Sequence, residues 1–366
     1  MAEALVSREN LRHNARLILD KLQGRARIMG IVKANAYGHG ARKVSASLES
    51  LGIRDFGVAN VHEAIELKTG GTLKNSSSIL AFSSPLFSQI ESYLLHDIDM
   101  TLCDIETLEA ADAIAAACNR TIGVQVKVDT GMGRLGIRTP EALEFLRRID
   151  SSRGLRLKGI YTHFAESSVP GGYTAAQLSE FKTLTSEYEH AASKTVLKHA
   201  ANSGAILSSP DSWLDMVRPG ILLYGYHPSE NTPSRLDVIP VMQVEARVIF
   251  IKEVKAGTTV SYNRTWSAPG PRRIATVAAG YADGYFRTLS NKSTVMIQGK
   301  PFRQVGTVTM DQIMVDLGDD REVKKGDRAV LFGWDGPSAD SIAGIAGTIS
   351  YETLCSVSSR VKRIFI

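Results

Sequence analysis

Apolar and polar positions follow two rhythms along this chain. Through residue 226, short β-branched apolar runs alternate with longer stretches that carry apolar residues at three- and four-residue spacing. The runs occupy 30–35, 56–60, 78–83, 99–103, 123–129, 157–164, 196–202 and 216–225, and the helical stretches include 41–52, 61–70, 105–119 and 174–193. Thr174 and Gln177 have the spacing of a capping box. Thr139-Pro140-Glu141 offers an N-cap, a proline at the first helical position and an acidic first turn. Strands that alternate with helices pair in parallel, and eight such units match a (β/α)8 TIM-type barrel. A doubly wound open sheet is the alternative that strand counting leaves open.

Beyond Gly225 the rhythm changes. Residues 227–240 hold Pro228, Pro233 and Pro240 among polar residues and predict a linker. From 241 onward, alternating runs are separated by glycine-containing turns, with one helical stretch at 338–350. The chain thus divides into a barrel domain (1–226), a linker (227–240) and a mainly β C-terminal domain (241–366).

Composition narrows the class. With 366 residues, 43% hydrophobic and 22% charged, the chain is too long for one ordinary core and too apolar for disorder. No apolar run approaches the about 18 residues a membrane helix needs, and the opening MAEALVSREN has no signal-peptide core. Cys103, Cys118 and Cys355 are scattered, with neither metal-ligand spacing nor a disulfide framework. A reducing, cytoplasmic setting is expected. The net charge of +5 comes without a basic block of any length, so a nucleic-acid partner is not expected.

Catalytic groups of barrels sit at the C-terminal ends of strands. Here those ends carry Lys33 (first), Lys127, Asp129 and Arg134 (fifth), His163 (sixth), Asn202 and Ser203 (seventh) and Arg218 (eighth). Taken singly each has an ordinary explanation: a lysine snorkels, a histidine fills a core, an arginine pairs with a carboxylate. Together they form a basic mouth suited to an anionic ligand with a ring or phosphate. Asn202-Ser203-Gly204 and Arg218-Pro219-Gly220 stand after strands seven and eight, where barrels often hold phosphate. Burial at Lys33 would lower the amine's pKa, as carbonyl-condensing lysines require.

These segments resemble the alanine racemase family over nearly the whole chain, from about residue 8 onward. The resemblance rests on VKANAYGHG (32–40), KVDTGMGRLGI (127–137), YTHFA (161–165), HAANSGA (199–205), MVRPGILLYG (216–225), VSYNRTW (260–266), GYADGY (280–285), VGTVTMDQ (305–312) and SSRVKRIF (358–365). It implies a pyridoxal 5'-phosphate enzyme that interconverts L- and D-alanine, works as a homodimer with shared sites and supplies D-alanine for peptidoglycan. By that resemblance Lys33 condenses with the cofactor aldehyde and is one of two bases, and Tyr262, from the partner subunit, is the other. Racemisation needs two, because a proton leaves one face of Cα and returns to the other. Arg218 matches the arginine facing the pyridine nitrogen. Tyr37, Ser203, Gly220 and Ile221 match the phosphate cradle, and His163 lies near the ring, with Asn202 alongside. Arg134 and Met310 match substrate-carboxylate contacts, Tyr281 an entrance residue and Lys127 a lysine carbamylated in some members.

Two departures stand out. Ser359 occupies a place where members often carry a tyrosine, which predicts a larger pocket and looser specificity. Asn263 replaces a common glycine, and the usual opening strand is poorly matched. A broader-specificity or serine racemase is the neighbouring reading, and a non-catalytic cofactor carrier the reading from another class. The whole β domain with its VSYNRTW segment argues against a carrier.

Overall fold

A computed structural model describes every residue except Met1, Asn75, Pro170 and Asn231. Eight parallel strands form the barrel: Arg27–Ile31, Asp55–Val58, Ser78–Ala81, Asp99–Leu102, Ile122–Asp129, Leu155–Tyr161, Leu197–Asn202 and Met216–Arg218. Each pairs with the next, and the eighth pairs back to the first, closing the sheet. All eight overlap the apolar runs of the sequence, the first only at Gly30 and Ile31. Closure excludes the open doubly wound sheet. Strands such as Ile122–Asp129, buried at every position, read as continuous apolar runs because helices cover one face and the packed interior the other.

The helices follow the helical stretches with shifts at their ends. Thr139–Ser151 starts one residue earlier than the capping signal predicts: Arg138 is the N-cap, Thr139 is already helical, and its hydroxyl is buried without a partner. Gly172–Ala192 contains Thr174 and Gln177 in its first turns, so the capping box does not form. Thr174 instead donates to the carbonyl of Glu166, while Gln177 accepts from the Ala165 N–H and donates to the His163 carbonyl. Both side chains pin the loop after the sixth strand.

The second domain is a closed antiparallel sheet. Its strands Met242–Val254, Arg272–Val277, Thr294–Ile297, Lys300–Val305, Ile313–Gly318 and Arg328–Phe332 form a ring in which Met242–Val254 is long enough to pair at both ends. Helices Ala339–Ala346 and Ser350–Cys355 follow, the first capped by Ser338. Contrary to the poor match at the start of the chain, Glu3–Val6 is a strand. It pairs antiparallel to Met242–Glu245 and parallel to Lys362–Phe365, so this segment lies in the second sheet and not in the barrel. One continuous apolar cluster runs through both domains, and Asn14, fully buried, bonds Leu223 and Ile239 across the junction.

Candidate active site

At the C-terminal mouth of the barrel lies a cavity of about 600 Å³. Lys33, Tyr37, Lys127, Arg134, His163, Asn202, Ser203, Arg218, Gly220 and Ile221, all named from the sequence, line it. Asn202 also caps the short helix that follows, accepting from the Ala205 N–H. Tyr262, Tyr281 and Met310 do not line it. They are 68%, 43% and 52% exposed on the second domain.

Lys33 does not end its strand, which stops at Ile31. It opens a turn in which Ala34, Asn35, Ala36 and Tyr37 all have φ near +50°. Left-handed backbone costs a non-glycine residue roughly 1–2 kcal/mol, so this run persists only because its surroundings fix it. Glu63 accepts from the N–H groups of Ala34 and Ala59, both at 2.8 Å, and Asn35 accepts from Ala41. His39 Nδ1 lies 2.9 and 2.8 Å from the carbonyls of Ala36 and Tyr37, so that nitrogen carries the proton and donates. Burial, then the charge of Arg134, lowers the Lys33 amine below the usual lysine value.

The cavity is ringed by cations. Arg218 is buried and donates to the carbonyls of Thr162 and Ala200 and to Nδ1 of His199. His163 Nδ1 lies 3.3 Å from the same guanidinium. Burial, and then Arg218, Arg134, Lys127 and Lys33 in turn, hold His163 well below the ordinary histidine pKa, so it is a neutral imidazole. Lys127 is pushed down to about 8, chiefly by burial. Burial alone would raise the neighbouring Asp129 carboxyl, but the N–H groups of Gly133 and Gly131 hold it below the usual carboxylate range. Three N–H groups on one Asp129 oxygen fold the loop that presents Arg134.

Three aromatic side chains of the cavity, Phe82, Tyr161 and Tyr351, are not singled out by the sequence. Tyr161 lies under Lys127 and Arg218, its ring stacked on His199 with centroids 4.9 Å apart. Tyr351, from Ser350–Cys355, lines the mouth with its ring 6.0 Å from that of Tyr37. Ser359 is exposed in a turn and does not line the cavity. A tyrosine of the C-terminal segment does line the cavity, at 351.

The alanine racemase N-terminal domain model matches residues 6–228, and the alanine racemase C-terminal domain model matches 241–365. The chain belongs to the alanine racemase family. An alanine racemase of Chlorobaculum tepidum is 61% identical over 366 residues, covering 100% of this chain and 96% of that one. One of Desulforamulus reducens is 40% identical, covering 99% and 98%. Among solved structures, an alanine racemase of Clostridium difficile 630 superposes with a TM-score of 0.95 at 36% identity, covering 100% of this chain and 95% of that one. As a member of this family the protein is an enzyme of alanine racemisation.

The family implies pyridoxal phosphate, and the residues present fit it. A lysine with a lowered pKa stands in a cavity whose other charges at its wall are cations. A Cβ built on Gly220 would lie 2.5 Å from the Tyr37 hydroxyl, so a bare glycine leaves the space a phosphate needs. The Gly220 N–H meets the Ser203 hydroxyl at 2.9 Å in the same corner. Among the described residues no group of carboxylates, histidines and cysteines could hold a metal.

Proposed function

We propose that this enzyme racemises alanine with pyridoxal 5'-phosphate by a two-base mechanism, Lys33 serving one face of the substrate and Tyr262 from a second copy of the chain the other. Tyr37, Ser203, Gly220 and Ile221 would hold the phosphate, Arg218 the ring end, with His163 and Asn202 beside it. When bound, the cofactor supplies an electron-withdrawing system that acidifies the substrate's Cα–H. The residues do the rest. Lys33, its amine pushed toward neutrality, takes and returns a proton at Nζ. Arg134 at the cavity mouth receives the substrate carboxylate, with Met310. Arg218 only donates hydrogen bonds, so it adds no proton to what it faces.

The observation that carries the reading is the cavity's asymmetry: the amine is in place and the tyrosine is not. Burial raises the hydroxyls of Tyr37, Tyr161 and Tyr351, all at the cavity, which keeps them protonated and so unavailable as bases. Tyr262 is exposed instead, on one face with Tyr281 and Met310. Thr307 donates to the Tyr262 carbonyl, the Tyr281 N–H to Thr309, and the Ala282 N–H to Met310, so one segment ties all three together. A second copy that presents this face to the cavity completes the site. Supply of D-alanine to the cell wall is the role this reading implies.

Borohydride reduction followed by peptide mass mapping will find the pyridoxyl group on Lys33; any other lysine overturns the assignment. Tyr262→Phe should slow interconversion by about 10²-fold or more while α-proton exchange in D2O survives for one enantiomer. Interconversion at the wild-type rate sinks the second base. Lys127, with its pKa near 8, has enough neutral amine to take up carbon dioxide, and intact mass in bicarbonate buffer should show the adduct, absent from Lys127→Ala.

A further inference from the structure

Arg218 presents a problem in electrostatics. It is a buried cation, and among the described residues no carboxylate forms an ion pair with it. Its side-chain partner at 2.8 Å is Nδ1 of His199. A guanidinium has no lone pair to offer, so that nitrogen must accept, and the ring proton must sit on Nε2. Nε2 lies 2.8 Å from Oε1 of Gln125, which accepts. The other end of the same amide then donates to Oδ2 of Asp99 at 3.4 Å. Asp99 is 2% exposed and also accepts from Ser78 at 2.8 Å and Lys158 at 2.5 Å.

Four side chains from barrel strands eight, seven, five and four therefore form one polarised chain. It runs from the last residue of one strand, Arg218, to the first residue of another, Asp99. Every bond points the same way. If the Gln125 amide turned over, its N–H would oppose the His199 N–H and its oxygen would oppose the Asp99 carboxylate. Asp99 thus orients the amide, the amide chooses the imidazole tautomer, and the tautomer supplies the acceptor that holds the guanidinium. Tyr161 stacked on His199 fixes the plane of the ring. Burial, reinforced by Arg218, keeps His199 neutral.

We propose that Gln125 and Asp99 are positioning residues for racemisation: through the His199 tautomer they hold Arg218 charged and aimed into the cavity. This rests on the reading in which Arg218 holds the cofactor ring. A polar chain that served only to satisfy buried groups would leave the tautomer and the rate uncoupled.

The test uses the whole protein and two readouts. In the cofactor-free form, two-bond 15N–1H correlation of the imidazoles, with His199 assigned by its loss in His199→Asn, should show a neutral Nε2–H ring near neutral pH. In Gln125→Met that pattern should be lost, and Asp99→Asn, which keeps the polar volume, should show a mixture of tautomers. In the reconstituted enzyme both variants should lose about tenfold or more in kcat, with KM for alanine changed less. An unchanged tautomer in both variants overturns the proposal, and so does a changed tautomer with wild-type kcat. Should Gln125→Met not fold, Asp99→Asn decides alone. The wider reading fails separately: if Arg218→Lys racemises at the wild-type rate, Arg218 has no part at the ring, whatever the tautomer does.

Discussion

At the scale of single residues, Gly220 shows how little space the phosphate corner has to spare. Its absent Cβ would sit 2.5 Å from the Tyr37 hydroxyl, a distance that forces the ring to move. Gly220→Ala should therefore weaken pyridoxal-phosphate affinity by about tenfold, measured by fluorescence titration of the stripped protein, while the melting temperature holds. Affinity equal to wild type would show that the corner is roomier than its geometry. Residues of this kind were legible in the sequence because they lie at strand ends with unusual chemistry. Tyr161 was not: an aromatic residue in an apolar run reads as packing, and only the fold places it against Lys127, Arg218 and His199. Tyr351 escaped for another reason. The SSRVKR motif drew attention to position 359, whereas the side chain that reaches the cavity comes from a short helix that sequence periodicity did not separate from its neighbour.

At the scale of elements, the left-handed turn after Lys33 joins chemistry to architecture. Gly38, at φ +80°, ends it, and a Cβ there would lie 2.4 Å from the Leu354 carbonyl on the Tyr351 helix. Arg363 donates to the Gly38 carbonyl from the last strand. The turn that carries the amine is thus braced by the second domain. Gly38→Ala should cost about 2 kcal/mol or more of stability, from left-handed strain alone, and more from the collision with Leu354. Urea denaturation measures it, and a loss under half that value would mean that the bracing yields. Most elements were legible, since barrel strands are continuous apolar runs and helices carry the 3.6-residue period. The turn was not, because only Asn35 of Ala-Asn-Ala-Tyr has any leaning toward a left-handed backbone; its own bond from Ala41 and, from outside the four residues, Glu63 and His39 fix the rest.

At the scale of the molecule, buried histidines make the fold acid-sensitive. His39 is held down to about 4 by burial, and His163 and His199 lie well below their ordinary value for the same first cause. Each is neutral when folded and takes up a proton at about 6.5 when unfolded. The unfolded state therefore binds more protons below that pH, and stability falls as pH drops through 6.5 toward 4. His39 alone should account for on the order of 3 kcal/mol across that window, since each tenfold loss of proton affinity is worth about 1.4 kcal/mol. Chemical denaturation at a series of pH values should show the decline in wild type and a shallower one in His39→Gln; parallel curves would discharge His39 from the role.

The strand Glu3–Val6 was the least legible part of the molecule, since its partners lie more than two hundred residues away in the chain. Its position also sets an order of events during synthesis. Among these pairings, the residues that leave the ribosome first lie beside those that leave it last, at Lys362–Phe365. The barrel can close on the nascent chain, whereas the second sheet, and with it the brace under the Lys33 turn, waits until Lys362–Phe365 has emerged. Until then Ala4 and Val6, fully buried in the finished protein, belong to an open strand in search of an edge.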